Sequence, residues 1–302
     1  MPWLQIKART TDAEAEQLEH LFQSLGAVSV TLLDAEDEPV FQLDSDTTPL
    51  WQQVLVTALF EHHVDADAIV AAVATTSGLT ANDLIVEQLA DQDWERAWMD
   101  DFHPMRFGRR LWVCPSWSTP PEPDAVNLLL DPGLAFGSGT HPTTALCLEW
   151  LDAQQLEGRY VIDYGCGSGI LAIAAALLGA ANVVAVDNDP QAITACNENR
   201  ALNGVSAEVL STHLPGKSHP PADIVIANIL AGPLEELTPI LTGLTRPGGK
   251  LILSGVLSDQ TAPLIESYRP WFDLAEPTVR DEWVRIEGTR RDNPAPAYSA
   301  EL

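Results

Sequence analysis

The chain has 302 residues, 46% of them hydrophobic and 20% charged, with 43 acids against 16 lysines and arginines and a formal charge of −27. That length exceeds one compact core and predicts two domains. So negative a field repels free nucleic acid, so direct nucleic-acid binding is not expected, and it draws in a cationic partner such as a lysine-rich protein, although an acid-rich, lysine-poor surface also serves salt tolerance or plain solubility.

In chain order, residues 3–8 alternate as a half-buried strand. Thr11 or Asp12 then caps a helix with Ala15, Leu18, Leu21, Phe22 and Leu25 on its apolar face, and Gly26 ends it. Residues 28–33, 39–43 and 51–60 read as strands, 66–75 as a helix and 84–89 as a closing strand. That order, β-α-β-β-α-β with one extra element, predicts a ferredoxin-like α+β domain over residues 1–90. Residues 91–107 predict an inter-domain helix with Trp94 and Trp98 on one face, so 91–125 form a linker helix and connecting segment. Residues 111–115 and 126–130 are short strands around a proline-rich loop at 118–124.

From about Leu146 strands and helices alternate. Strands are expected at 160–163, 183–187, 208–210, 223–228 and 250–255. Helices are expected at 170–179, 190–203, 234–244 and 259–268. Two final strands, near 274–279 and 282–288, have no helix between them. The pattern predicts a Rossmann-like α/β domain over residues 126–291, with a mostly parallel sheet covered on both faces and one antiparallel strand. Residues 292–302 are Pro- and Ala-rich and read as a disordered tail. The four cysteines form no C-x-x-C pair, which argues against a disulfide framework or a zinc site and suits a reducing, cytoplasmic setting. Nothing in the polar, alternating N-terminus reads as a signal peptide. The longest apolar stretch, 170–186, is broken by Gly179 and Asn182, so no membrane span is expected.

Three motifs carry chemistry. In Val161-Ile162-Asp163-Tyr164-Gly165-Cys166-Gly167-Ser168-Gly169 a buried strand runs into a turn with glycine at alternate positions, ahead of an apolar helix. Bare backbone there lets a ligand lie against the main chain, and the helix start presents free N–H groups. Asp187, ending the next strand, is placed to accept both hydroxyls of a ribose. Residues 167–172 also fit the dinucleotide pattern G-x-G-x-x-A. A dinucleotide, however, brings a pyrophosphate, whereas Asp163 inside the turn suits a cationic nucleoside. The longer D-x-G-x-G-x-G resembles motif I of class I S-adenosylmethionine methyltransferases. Cys166 reads as a small filler.

The second motif, residues 131–144, contains three glycines, two prolines and several hydroxyl residues; with Phe136, Gly139, Thr140 and Thr144 among its members, it is expected to fold over the cofactor. Thr144 alternatively caps the next helix. His141 has no partner at metal-ligand spacing, so no metal is expected, and it reads equally well as a satisfied core residue. In the third motif, Asn228-Ile229-Leu230-Ala231-Gly232-Pro233, an apolar strand delivers Asn228 to the edge where parallel sheets place ligands. Asn228 then holds an acceptor amine, with no dedicated base, or simply turns the chain.

Together these motifs, in this order and spacing, resemble the ribosomal protein L-eleven methyltransferase family, PrmA, through almost the whole chain. The resemblance implies transfer of methyl groups from S-adenosylmethionine to lysine side-chain and N-terminal amines of ribosomal protein L-eleven. It implies cofactor contacts at Thr144, Gly165, Asp187 and Asn228, with Asp163, Gly167, Gly169, Phe136, Gly139 and Thr140 nearby. It further implies that the small domain grips the substrate protein and that the linker lets it reorient. The alternative is a methyltransferase for a small molecule or RNA.

Overall fold

A computed structural model describes residues 3–35, 51, 53–80, 83–89, 102–131 and 141–293. The chain divides into two compact units, Met1–Asp101 and Phe102–Leu302.

The first unit runs β1 (Trp3–Thr11), α1 (Asp12–Ser24), β2 (Ser29–Asp34), β3 (Gln53–Glu61), α2 (Ala66–Ser77) and β4 (Leu84–Leu89). Its antiparallel sheet has the order β2-β3-β1-β4, the ferredoxin-like arrangement. Alternate residues of β1 and β3, Leu4, Ile6 and Ala8 with Val54, Val56, Ala58 and Phe60, point to one face. There they meet Ala15, Leu18 and Phe22 of α1 and Ile69 and Val73 of α2. Asp65 caps α2 by accepting the N–H groups of Asp67 and Ala68. Thr11 is the N-cap residue of α1, but its side chain makes no cap bond; the Asp12 carboxylate accepts the Ala13 N–H instead. The expected strand at 39–43 lies outside the described residues.

The second unit opens with β5 (Met105–Phe107), β6 (Leu111–Cys114) and β7 (Val126–Leu129), a separate three-stranded sheet. The helix expected over 91–107 does not reach its predicted end. Pro104 disfavours helical backbone at the residue before it, and 105–107 pair as a strand with 111–113. Residues 91–101 lie outside the described set. The turn between β5 and β6 docks on the helix α3 (Pro142–Ala153), because the buried Asp152 carboxylate accepts the N–H groups of Arg109 and Arg110. Phe107, Leu111 and Val113 therefore belong to the core of this unit.

The main sheet has the order β10-β9-β8-β11-β12-β15-β13. Strands β8 (Tyr160–Tyr164), β9 (Asn182–Val186), β10 (Leu210–His213), β11 (Ala222–Asn228) and β12 (Thr245–Leu257) are parallel; β15 (Trp283–Arg290) runs antiparallel between β12 and β13 (Phe272–Leu274). Neighbouring residues in a strand feed opposite cores. Val161, Val183, Ile224 and Ile226 pack with α3, α4 (Ile170–Leu177) and α5 (Pro190–Leu202). Ile162, Val184, Val225 and Ala227 pack with α6 (Ala231–Glu236), α7 (Thr238–Leu244) and α8 (Thr261–Tyr268). Burial on both faces is why these strands read as continuous apolar runs.

Two details depart from the sequence reading. The single helix expected at 234–244 is two, because Pro239 has no N–H to donate into the preceding turn, and the chain restarts at Thr238. The last two expected strands are three, with Pro277 between β13 and β14 (Thr278–Arg280), which forms a hairpin with β15. Among the described residues no helix is long and apolar enough to cross a membrane.

Candidate functional site

The glycine turn joins β8 to α4 with Gly165, Gly167 and Gly169 all at positive φ, 81°, 52° and 81°. Side chains are disfavoured in that conformation, and at two of these positions there is also no room. A Cβ on Gly165 would fall on Ile229 Cγ2, and one on Gly169 on the Cys196 sulfur of α5. The Gly165 and Cys166 N–H groups both donate to the Val186 carbonyl, at 2.7 and 3.0 Å, which ties the turn to the end of β9. Cys166 is buried; the Cys196 thiol hydrogen-bonded to it and the loss of water push its thiol pKa well up. It is a neutral packing group, as the sequence suggested.

Asp187 follows β9. Its Oδ2 accepts the Gly167 N–H at 2.9 Å and its Oδ1 the Asp189 N–H at 3.0 Å. The half-buried carboxylate thus shapes the turn, and each oxygen keeps lone-pair capacity for a further donor. Asp163 is 1% exposed and sits beneath the turn. Its Oδ2 accepts the Ala172 N–H at 3.0 Å, holding the first turn of α4, and its Oδ1 is buried with no partner among the described residues. Burial pushes this carboxyl up to about 7; the Ala172 N–H opposes the rise and the Asp187 charge adds to it.

Asn228 ends β11, two strands from Asp187 across β8. Its Nδ2 donates to the Thr144 hydroxyl at 3.3 Å, while its Oδ1 is buried and unpartnered among the described residues. Thr144, 1% exposed, is the third residue of α3. The cap of that helix is His141, not Thr144: His141 Nδ1 accepts the Thr143 N–H. Thr144 is thereby free to support Asn228. Phe136, Gly139 and Thr140 lie outside the described residues.

Sequence reasoning missed two neighbours. Ser254 stands opposite Asn228 in β12, is fully buried, and donates to the carbonyls of Val284 at 3.0 Å and Thr143 at 3.4 Å. Trp283 meets the His141 ring edge-to-face with centroids 4.6 Å apart. The level of Ser254 was readable from the parallel strand ending beside Asn228. No local pattern flagged Trp283, which depends on the β15 register. Among the described residues no group of three His, Cys, Asp or Glu side chains gathers around a metal position.

One edge of the parallel sheet therefore joins a bare glycine turn, a carboxylate with acceptor capacity and a buried amide oxygen with no donor among the described residues. The sequence model of the family described as "Ribosomal protein L11 methyltransferase (PrmA)" matches residues 2–291. The chain belongs to this family. It is 56% identical over 292 residues to the ribosomal protein L11 methyltransferase of Pseudomonas paraeruginosa, covering 96% of this chain and 99% of that one. It is equally identical, over 96% of its length and 100% of the relative's, to the one from Azotobacter vinelandii. A crystal structure of the ribosomal protein L11 methylase from Lactobacillus delbrueckii subsp. bulgaricus superposes with a TM-score of 0.58 at 34% identity, covering 63% of this chain and all of that one.

Proposed function

We propose that this chain methylates lysine side-chain and N-terminal amines of ribosomal protein L11, with S-adenosylmethionine as the donor. The observation that carries the reading is the buried Oδ1 of Asn228, which has no donor among the described residues and is fixed by Thr144 at the end of β11. A buried acceptor without a donor costs about 1–3 kcal/mol, so its retention points to a donor from a ligand. An amine N–H fits it.

The residues present also fit the cofactor. Gly165 and Gly167 offer bare main chain, and Asp187 offers two oxygens to the ribose hydroxyls. The acids around the turn suit a cationic nucleoside better than an anionic pyrophosphate. When bound, the donor supplies a methyl group already activated on a sulfonium. The chain's own work is to bind, orient and dry the amine. Asn228 Oδ1 accepts an amine N–H and so fixes the direction of the nitrogen lone pair. Removal from water favours the neutral amine, since burial disfavours the charged form.

The N-terminal unit is the substrate-gripping domain in this reading, the segment from Phe102 onward belongs to the methyltransferase domain, and the enzyme works in the cytoplasm. The charge of −27 supports a lysine-bearing protein substrate over RNA. The test incubates the full chain and its Asn228→Ala variant with labelled S-adenosylmethionine and, separately, ribosomal protein L11, total ribosomal RNA and a small-amine panel. Label appearing on L11 amines in the wild type alone supports the reading. Label confined to RNA or small amines refutes it.

A further inference from the structure

His141 stands immediately ahead of α3, with the extended backbone of a cap residue, φ −70° and ψ 136°. Its Nδ1 accepts the Thr143 N–H at 3.4 Å and lies 2.8 Å from the Thr143 hydroxyl. With that hydroxyl donating, both contacts use the Nδ1 lone pair, so the ring is neutral and carries its proton on Nε2. Trp283 fixes the plane of the ring from the side. The Thr143 carbonyl accepts from Ser254, the register partner of Asn228, and one residue on the Thr144 hydroxyl accepts from Asn228 itself. The first turn of α3 is the support against which the Asn228 amide rests.

We infer that His141 is a positioning residue for methyl transfer: its Nδ1 lone pair holds the first turn of α3, that turn places the Thr144 hydroxyl, and the hydroxyl orients the Asn228 amide with Oδ1 toward the acceptor amine. The inference rests on the methyl-transfer reading of the Asn228 site. Protonation of the imidazole removes the lone pair and sets a cation on the positive end of the helix dipole, so cap and charge fail together. Burial moves that protonation below its ordinary value. The charged groups on the packed elements have partners of their own. Glu149 of α3 pairs with Arg280, Glu287 of β15 with Lys250, and Arg285 donates to the Leu146 carbonyl. Asp281 and Glu282, before Trp283, are exposed.

The experiment measures kcat and KM on ribosomal protein L11 from about pH 5 to 8 for the full-length wild type, His141→Asn and His141→Ala. Thermal unfolding and calorimetric affinity for S-adenosylhomocysteine accompany each. Asparagine caps helices well and does not titrate in this range. Deprotonation of the substrate amine affects all three proteins alike and divides out in the ratio of wild type to His141→Asn. His141→Ala is expected to lower kcat about five- to tenfold at pH 8, the scale of a lost cap, with a smaller change in KM. His141→Asn should restore most of that loss. The wild-type to His141→Asn ratio should be flat above about pH 6.5 and fall below it. A ratio flat down to pH 5, or wild-type kcat in His141→Ala, overturns the inference. If the alanine variant unfolds, the asparagine ratio still decides. If the wild type transfers no methyl at any pH, the methyl-transfer reading fails and this inference falls with it.

Discussion

Asp187→Ala tests the cofactor assignment most directly. The carboxylate accepts two backbone N–H groups, from Gly167 and Asp189, and is assigned two ribose hydroxyls. Hydrogen bonds to a charged acceptor contribute about 1.5–3 kcal/mol each, so losing both hydroxyl contacts at the low end removes about 3 kcal/mol from cofactor binding. That corresponds to a dissociation constant raised roughly 150-fold. The freed Gly167 N–H loosens the turn and adds to the loss. Asp187→Asn keeps one acceptor oxygen and should fall between the two, at about tenfold weaker. Isothermal titration calorimetry with S-adenosylhomocysteine reads the effect on the intact chain. Thermal unfolding of the ligand-free variants separates the backbone contribution, because the Gly167 and Asp189 bonds exist without cofactor. An alanine variant that binds within twofold of wild type would refute the ribose assignment, whatever its melting temperature.

Gly165→Ala should abolish cofactor binding and lower stability by about 1–3 kcal/mol, since a Cβ meets Ile229 and the φ of 81° is strained. Adding Ile229→Ala relieves the collision but not the backbone strain, so calorimetry and denaturation on the double variant should show only partial recovery. Asp163 has its folded pKa raised to about 7 from 3.8, so the native state holds an extra proton between those values and its contribution to stability falls as pH rises through that window. Asp163→Asn should therefore gain stability relative to wild type between pH 4 and pH 7 in urea denaturation of the ligand-free chain; a constant difference across that range contradicts the assignment. Asn228→Asp should lower kcat about tenfold at neutral pH and shift the rate profile to alkaline pH, because a carboxylate raises the amine pKa by about one unit. Rate-against-pH curves with saturating donor check this.

The site was legible where the chemistry sits in the backbone. Glycine at 165, 167 and 169 announces positive φ, and each of the three adopts it. Alternation announced β1 and β3, and both bury the expected face. Where a side chain's role depends on a partner far along the chain, the sequence was silent. Thr144 and Asn228 are 84 residues apart and meet only because α3 crosses the end of β11. Thr144 had a cap as its alternative reading because threonine commonly caps helices. Histidine is not among the usual caps, so His141 read equally well as a satisfied core residue, and its capping contact needed the helix start to be fixed three residues earlier. Segment 102–125 read as a connector because its strands are short. Its place in the core follows from Asp152, which reaches back to the backbone of Arg109 and Arg110.

In the proposed reading, the acids of this edge explain why the acceptor group is an amide. Asp163, Asp187 and Asp189 each accept a backbone N–H, from Ala172, from Gly167 with Asp189, and from Gln191. Their carboxyl groups are committed to holding the turn and the starts of α4 and α5, and they lie on the β8–β9 side of the site. The group at the end of β11 is neutral. A carboxylate there would attract an ammonium and hold its proton, raising the barrier to a lone-pair attack. An amide oxygen accepts an N–H from the neutral amine without rewarding the charged one. A site built this way needs no general base, because desolvation and a neutral acceptor select the amine that has already lost its proton.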